Sequence, residues 1–298
     1  FSQPEKVGVY GFGGHELSEK LEDIEHDDLP EVAVYQDVKN KRILFYAQGL
    51  GQWSYDEKMG YRLRINSYDD KAYYFLHQKD EAPRSMEVLP HNAETAKTLS
   101  TSYVVYGAHE EELVNIGQSG REKYGESFLS EKSKRFTFDG FDEGEIRLRV
   151  NAIAHSSEAT KYTIKANGQE VGDISISAAT STYPFANEGT LDQALTLDAT
   201  ERLNIDVRFE GSADLARLNY ISFEGRRSFE QPWKEVHFRD REVQGFDLGS
   251  NDSTCLVWDV TSATDVKLQQ RSDEGGFAQP QDGVTHEYVW LNSSSFDF

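Results

Sequence analysis

Four acidic residues lie close together in the segment DGFDEGE, and they form the best candidate for a cation site in the sequence. They are Asp139, Asp142, Glu143 and Glu145. Ca²⁺ prefers several oxygen ligands on a flexible loop, and carboxylates can supply them. The spacing differs from that of an EF-hand loop, so the other ligands would have to come from distant residues. Two alternatives therefore remain open, a Ca²⁺ site and a solvated acidic turn.

Aromatic and basic side chains offer a second kind of chemistry, stacking against a sugar or a protein partner. Trp53 and Tyr55 lie in a glycine-rich aromatic loop, and Arg121 and Tyr124 lie in the segment SGREKYGE. Aromatic rings of this kind bind ligands, or they cap a small core. For Arg121 and Tyr124 the alternatives are a ligand-contacting loop and an ordered loop pinned by Tyr124 and Phe128. Three acidic residues ahead of them, numbered 110–112, are expected to keep that end of the segment in solvent.

The sequence contains no recognisable catalytic motif. GxSxG, HExxH, the P-loop and CxxC are all missing. The single cysteine, Cys255, lies in the strand-like run TCLVWDV, which predicts a small buried side chain. A cysteine nucleophile would need a nearby histidine base and a lowered pKa. We therefore predict no active site in this chain; an enzyme in its own right would require Asp139, Glu143 and a histidine to converge in a cleft.

Charge and hydropathy argue against binding to nucleic acid and against a transmembrane helix. The 298 residues carry 31 basic and 52 acidic side chains, a net charge of −21, which argues against binding to nucleic acid. No apolar run approaches the roughly 20 residues of a transmembrane helix. The first residues, FSQPEKVGVYGFGG, show no signal-peptide pattern, so a mature or excised chain is expected.

Alternating apolar and polar residues in the middle of the chain predict strands. The alternation runs through Ile146–Ala154, Tyr162–Ala166, Ile174–Ile176 and Leu203–Phe209. A period of two places the apolar side chains on one buried face of each strand. Asn167-Gly168 separates two of these runs and is typical of a type I′ hairpin turn. We predict an all-β chain in which an antiparallel, jelly-roll-like β-sandwich occupies residues 134–229.

The rest of the chain divides around this sandwich. Residues 1–88 are predicted to form a small β-rich N-terminal domain, residues 89–133 a linker and junction segment, and residues 230–298 additional C-terminal strands. Within 1–88 the expected strands are Val32–Tyr35, Ile43–Ala47, Tyr61–Ile65 and Tyr73–Leu76, with one or two helical turns through Leu17, Leu21 and Ile24.

Five short segments, taken in order, resemble a known family. They are Asp27–Glu31 (DDLPE), Ile43–Gly49 (ILFYAQG) followed by Trp53, Asn66–Leu76 (NSYDDKAYYFL), Glu110–Phe128 with its SGREKYGE core, and Val257–Thr261 (VWDVT). In this order they resemble the region before the catalytic domain in PorU-like sortases of type IX secretion, which are gingipain-family cysteine peptidases. Two departures are Lys123, where a tryptophan is expected, and GLGQW in place of a proline-containing loop.

The resemblance implies a secreted protein at the cell envelope or outer-membrane surface of a Bacteroidetes-type bacterium. It implies that a peptidase domain with a catalytic Cys and His would follow this region. Cys255 does not match that nucleophile, so the resemblance transfers no catalytic residue. The full-length protein would resemble a peptidase that removes a C-terminal sorting signal from secreted cargo.

Two functions from different classes follow. The first is a non-catalytic β region that docks its own C-terminal peptidase domain, secreted cargo or secretion-system components. The alternative is a cell-surface carbohydrate-binding or adhesin-like β-sandwich that uses Trp53, Tyr55 and Tyr61 as exposed rings. No cofactor is expected apart from the candidate Ca²⁺.

Overall fold

A computed structural model describes residues 3–18, 20, 28–57, 60–117, 120, 122–142, 144–179, 185–230, 234–249 and 252–295. These residues form β-strands, with 3₁₀ turns at Pro4–Lys6, Val38–Asn40, Ala93–Thr95 and Ser293–Ser295. The predicted all-β class is confirmed. Within the described ranges, no helix is long and apolar enough to cross a membrane.

The strands are numbered in chain order. They are β1 (Val7–Tyr10), β2 (Glu31–Val32), β3 (Val34–Asp37), β4 (Arg42–Phe45), β5 (Gly51–Asp56), β6 (Gly60–Ile65), β7 (Phe75–Gln78), β8 (Val88–Leu89), β9 (Ser102–Glu110), β10 (Ser133–Phe141), β11 (Gly144–His155), β12 (Thr160–Ala166), β13 (Gln169–Ile176), β14 (Asn187–Leu197), β15 (Thr200–Glu210), β16 (Leu215–Ser228), β17 (Glu235–Arg239), β18 (Gly245–Asp247), β19 (Cys255–Asp259), β20 (Lys267–Gln269), β21 (Gly276–Ala278) and β22 (Glu287–Asn292).

The chain folds into two compact units. The first unit comprises Phe1–Tyr103 and Ser228–Phe298, and the second comprises Val104–Arg227. The sequence prediction separated residues 1–88 from 230–298, whereas the structure joins them in one sheet. In that sheet β8 pairs in parallel with β20, with Val88 opposite Leu268. The pairing connects segments too far apart in sequence for any local pattern to reveal.

The second unit is the predicted β-sandwich. One sheet has the strand order β10-β15-β12-β13, and the other has the order β14-β11-β16-β9. The alternating apolar residues form its core, in which Leu148, Ile164 and Val207 are fully buried. Asn167 and Gly168 have φ angles of 47° and 84°, as a type I′ turn between β12 and β13 requires. The sandwich prediction is therefore confirmed, and β9 adds to it residues that the sequence placed in a junction.

The first unit has several smaller sheets. Their strand orders are β2-β1-β7, β17-β22-β19-β20-β8, β18-β21, β3-β4 and β5-β6. Aromatic rings dominate one part of its core, where Phe238, Phe246, Phe277 and Tyr288 contact one another with centroids 5.0–6.5 Å apart. Cys255 is a buried residue of β19, as the sequence indicated.

The small N-terminal elements differ in detail from the prediction. The strand predicted at Tyr73–Leu76 begins two residues later, at Phe75. Leu17 is exposed and lies outside any helix, while Leu21 and Ile24 fall outside the described residues. Leu17 therefore provides no support for the predicted helical turns.

Candidate docking surface

The hairpin formed by β5 and β6 positions the predicted aromatic residues. Trp53 and Tyr55 lie on one face of β5 and are half-buried, while Gln52 and Ser54 on the other face are exposed. Tyr61 of β6 lies directly opposite Tyr55, and their ring centroids are 5.0 Å apart. The alternation of the hairpin thus gathers three aromatic rings on one side.

This aromatic face packs against an arginine. The guanidinium carbon of Arg239, at the end of β17, lies 4.2 Å from the centre of the Trp53 ring and 5.7 Å from that of Tyr61. Arg239 Nε also lies 3.4 Å from a Glu287 carboxylate oxygen. These distances place a buried cation over the negative face of two rings, which is a favourable arrangement.

A second arginine extends the contact. The guanidinium carbon of Arg241 lies 5.2 Å from the centre of the Tyr55 ring, and its backbone N–H donates to the Tyr61 hydroxyl at 3.3 Å. Tyr61 is only 4% exposed, and burial raises the pKa of its hydroxyl. The expectation that Tyr61 is an exposed ring is therefore wrong, because Arg239 lies over its ring and the Arg241 backbone binds its hydroxyl.

We name Trp53, Tyr55, Tyr61, Arg239 and Arg241 the aromatic–arginine cluster. Sequence reasoning found the aromatic residues and missed the two arginines, which lie in a distant segment of the chain. Their only signal is the run FRDRE, where two arginines alternate. Trp53 and Tyr55 keep partly exposed edges at this cluster, so a binding role for them stays a prediction.

The predicted site residues around the SGREKYGE segment lie in the second unit. Tyr124 is buried, and burial together with the carboxylates of Glu122 and Glu188 raises its pKa to about 12. Its backbone exchanges hydrogen bonds with Val114 at 2.9 and 3.1 Å. Phe128 is fully buried in the sandwich core, so both rings that were predicted to pin the segment are enclosed. Arg121 lies outside the described residues.

The acidic residues before this segment are not all solvated, contrary to the sequence prediction. Burial raises the pKa of Glu110 to about 7, and the neighbouring charges of Glu112 and Glu122 add to the effect. The pKa of Glu112 is also raised by burial, whereas Glu111 is exposed. Glu110 is the last residue of strand β9 and is partly buried there, whereas the prediction treated it as part of a solvated run.

The predicted cation ligands lie around the turn between β10 and β11. Asp139 is exposed on β10, Glu145 is exposed on β11, and the Asp142 backbone N–H donates to the Arg226 carbonyl at 2.7 Å. Glu143 lies outside the described residues. Among the described residues, no group of three or more His, Cys, Asp or Glu side chains is arranged to hold a metal ion. Ca²⁺ binding here stays a prediction.

One solved structure matches almost the whole chain. A crystal structure of dimeric latent PorU from Porphyromonas gingivalis matches 99% of this chain, with a TM-score of 0.88 and 25% sequence identity. The chain is therefore similar to a region of PorU. The match covers 30% of the PorU chain, so this chain spans less than a third of that protein's length. No family model matches the chain, and no curated protein matches it.

Other solved structures resemble only part of the chain. A family 35 carbohydrate-binding module from Clostridium thermocellum covers 40% of it at 15% identity, and one from Cellvibrio japonicus covers 42% at 13% identity. They align over 90% and 96% of their own lengths, each with a TM-score of 0.28. These scores are too low to support an inference about sugar binding, so the PorU-like region is the resemblance that the structure confirms.

The segment NSYDDKAYYFL, which contributed to the predicted PorU resemblance, forms a tightly hydrogen-bonded loop. Asn66 Nδ2 donates to the Gly14 carbonyl at 2.9 Å, and Asn66 Oδ1 accepts from the Tyr68 N–H at 2.9 Å. The Tyr74 hydroxyl accepts from the Gln48 N–H at 2.9 Å, while its ring packs edge-on against Phe45. These contacts join the segment to Gly14 and to the segment ILFYAQG in the fold.

The segment VWDVT contains Asp259, which is the centre of a second group of polar contacts. Asp259 Oδ1 accepts from the Thr261 backbone N–H at 3.0 Å, and Asp259 Oδ2 lies 3.2 Å from His286 Nδ1. The other ring nitrogen of His286 lies 3.3 Å from Asp282. The hydrogen bond to Asp259 is the main cause that raises the pKa of His286. Burial acts to raise the pKa of Asp259, but the hydrogen bonds from His286 and Thr261, together with the charge of His286, outweigh it and lower that pKa. His286 thus connects Asp259, at the end of β19, to Asp282 in the loop before β22.

Proposed function

We propose that this chain is the non-catalytic β region of a PorU-like, gingipain-family cysteine peptidase of type IX secretion. In this proposal it docks the peptidase domain, secreted cargo or secretion-system components, and it acts outside the cell at the envelope surface. The observation that supports it most is the match over 99% of this chain to only 30% of PorU. A conserved architecture of that extent, within a much longer relative, fits a supporting region.

The single cysteine supports a non-catalytic role. Cys255 is 2% exposed, and its backbone carbonyl accepts a hydrogen bond from Arg271 at 2.6 Å. A cysteine nucleophile must be a thiolate that substrate can reach. A side chain enclosed in a strand of a five-stranded sheet does not satisfy that requirement. The nucleophile of a peptidase would therefore come from another part of a longer protein.

The aromatic–arginine cluster is the part of the described surface that best fits docking. Trp, Tyr and Arg are the residue types enriched at the energetic centres of protein interfaces. Here the arginines hold the rings in place, so a partner would meet rings that are already ordered. Such preorganisation reduces the entropy lost on binding.

Two measurements test the proposal. Intact mass spectrometry of the native protein from its producing organism is expected to give a mass far above 33.8 kDa. The purified chain, with Cys255 intact or changed to Ser, is expected to leave peptide substrates uncleaved. Hydrolysis by the chain with Cys255 either intact or changed would contradict the non-catalytic assignment. A native mass equal to that of this chain would contradict a following peptidase domain.

A further inference from the structure

Strand β7 is an edge strand whose outer backbone groups can be assigned. It pairs with β1 on one side, and no strand among the described residues pairs with its other side. The Lys79 N–H donates to the Lys6 carbonyl at 2.8 Å, which makes these two residues a hydrogen-bonded pair. Because such pairs alternate in an antiparallel ladder, the N–H and C=O groups of Leu76 and Gln78 point away from β1.

Large apolar side chains accompany this free edge. Tyr73 is 61% exposed, Phe75 is 59% exposed and Leu76 is 49% exposed. All four residues of β7 are exposed, so both faces of the strand are accessible. Soluble proteins rarely leave apolar residues together on an unprotected sheet edge, since the edge is a template for another strand.

The lysine that could protect this edge is neutralised. Lys79 Nζ lies 2.9 and 3.0 Å from the two carboxylate oxygens of Glu31 on β2. The pair crosses β1 at Gly8, where an added Cβ would lie 3.0 Å from the Glu31 carboxylate and 3.1 Å from Lys79. An edge lysine normally discourages strand addition by its charge. Here that charge is directed across β1 to Glu31, and it also lies 4.0 Å from a carboxylate oxygen of Glu81.

Acidic residues flank the apolar edge at both ends. Asp69 and Asp70 precede it, and Asp80 and Glu81 follow it, all of them exposed. Lys71 offsets part of this charge at the first end. Opposite charges on a partner would therefore be favoured near both ends of the strand, while its middle would meet apolar side chains.

We propose that β7 accepts an extended peptide as an added strand, and that this peptide has alternating apolar side chains and basic residues near both ends. Main-chain hydrogen bonds to Leu76 and Gln78 would supply the pairing, and contacts with Phe75 and Leu76 would supply selectivity. This surface is separate from the aromatic–arginine cluster. The proposal holds whether or not the chain belongs to a peptidase.

The test uses the whole chain and labelled synthetic peptides in fluorescence anisotropy. The probe has two lysines at each end and an alternating Thr-Val centre, and matched peptides carry glutamate ends or N-methyl groups at alternate centre positions. The lysine-ended peptide is expected to bind at least about tenfold more tightly than either control, which corresponds to about 1.4 kcal/mol. Equal binding of the N-methylated peptide would overturn strand addition, and no binding of the lysine-ended peptide would overturn the proposal.

A pair of variants separates backbone pairing from apolar contact. Gln78→Pro removes an outward N–H and leaves the ladder to β1 intact, because that N–H does not face β1. Gln78→Pro is expected to lower the affinity for the lysine-ended peptide at least about tenfold, whereas Gln78→Ala is expected to bind it as tightly as the unchanged chain does. Thermal melts check that both variants fold. Unchanged peptide affinity in Gln78→Pro would overturn the proposal. A chain that binds none of the peptides and dimerises through this edge would also overturn it.

Discussion

The guanidinium carbon of Arg239 lies 4.2 Å from the centre of the Trp53 ring, although the two residues belong to distant segments of the chain. Arg239 is buried, and its partner Glu287 lies on the adjacent strand β22. The ring, the cation and the carboxylate thus connect the β5–β6 hairpin to the five-stranded sheet of the first unit. The hairpin has a two-stranded sheet of its own, so contacts of this kind must hold it in place.

Trp53→Ala is expected to destabilise the chain by about 2 kcal/mol, because it removes a half-buried ring and leaves Arg239 without its stacking partner. Urea denaturation measures the change. Gln52→Ala is the matched control, since Gln52 is the exposed neighbour on the opposite face of β5. Equal effects of the two substitutions would show that the Trp53 contact does not stabilise the hairpin.

A double-mutant cycle isolates the contact between Trp53 and Arg239. Trp53→Ala, Arg239→Met and the double variant are expected to give a coupling energy of about 1 kcal/mol. A coupling near zero would mean that the two residues stabilise the chain independently.

The same Trp53→Ala protein, applied to a glycan array, tests the carbohydrate-binding alternative, since loss of a glycan signal would favour it.

Val207→Asp is expected to cost about 3 kcal/mol or more, because Val207 is fully buried in the sandwich core and a carboxylate there has no partner. The adjacent Arg208 is exposed on the other face of β15. Arg208→Asp is therefore expected to cost little. Thermal melts that show equal losses for the two variants would contradict the alternation along β15.

Alternation in the sequence was sufficient to predict the sandwich, because its two faces differ in polarity at almost every position. It was insufficient for the polar face of β11. Arg149 and Asn151 follow the polar phase of the pattern, yet both are buried. Arg149 lies 3.0 Å from a Glu224 oxygen and 3.3 Å from an Asp192 oxygen. Such polar residues are buried only because they meet partners on neighbouring strands. The register that brings these partners together cannot be read from the sequence of a single strand.

The sequence predicted only the aromatic part of the aromatic–arginine cluster, for a similar reason. Trp53 and Tyr55 stand out by residue type, whereas Arg239 and Arg241 become relevant only when β17 and the hairpin are in the same unit. The same limit applies to the division of the chain. Strands β8 and β20 pair although more than half of the chain lies between them, and no local periodicity predicts that pairing.

Glu110→Gln is expected to change the pH dependence of stability. Burial and the charges of Glu112 and Glu122 raise the pKa of Glu110 from 4.5 to about 7. The folded chain therefore binds more protons than the unfolded chain between these values, and the free energy of unfolding falls as the pH rises through about 7. Glutamine mimics the neutral carboxyl, so the variant is expected to be more stable than the unchanged chain at about pH 8, by about 1–3 kcal/mol.

Glu111→Gln is the control for Glu110→Gln, because Glu111 is its exposed neighbour in the same acidic run. Thermal melts at several pH values should show a stability gain above neutral pH only for Glu110→Gln. The nearby His109 lies 2.7 Å from Glu126 and is unchanged in both variants. A Glu110→Gln protein with the pH profile of the unchanged chain would contradict the raised pKa.

His286→Gln is expected to differ from the unchanged chain mainly at low pH, whereas Glu110→Gln differs from it mainly at high pH. The hydrogen bond to Asp259, and the charges of Asp259 and Asp282, raise the pKa of His286 above 6.5. The stabilisation by the protonated ring is therefore complete below about pH 6.5 and is lost as the pH rises through the folded-state pKa. The variant should be clearly less stable than the unchanged chain at about pH 5.5, where Asp259 is still ionised because its pKa is lowered, and the difference should shrink by about pH 8.5. His77→Gln, at an exposed position of β7, provides the control. A deficit of the same size at both pH values would show that His286 acts through packing alone and not through its charge.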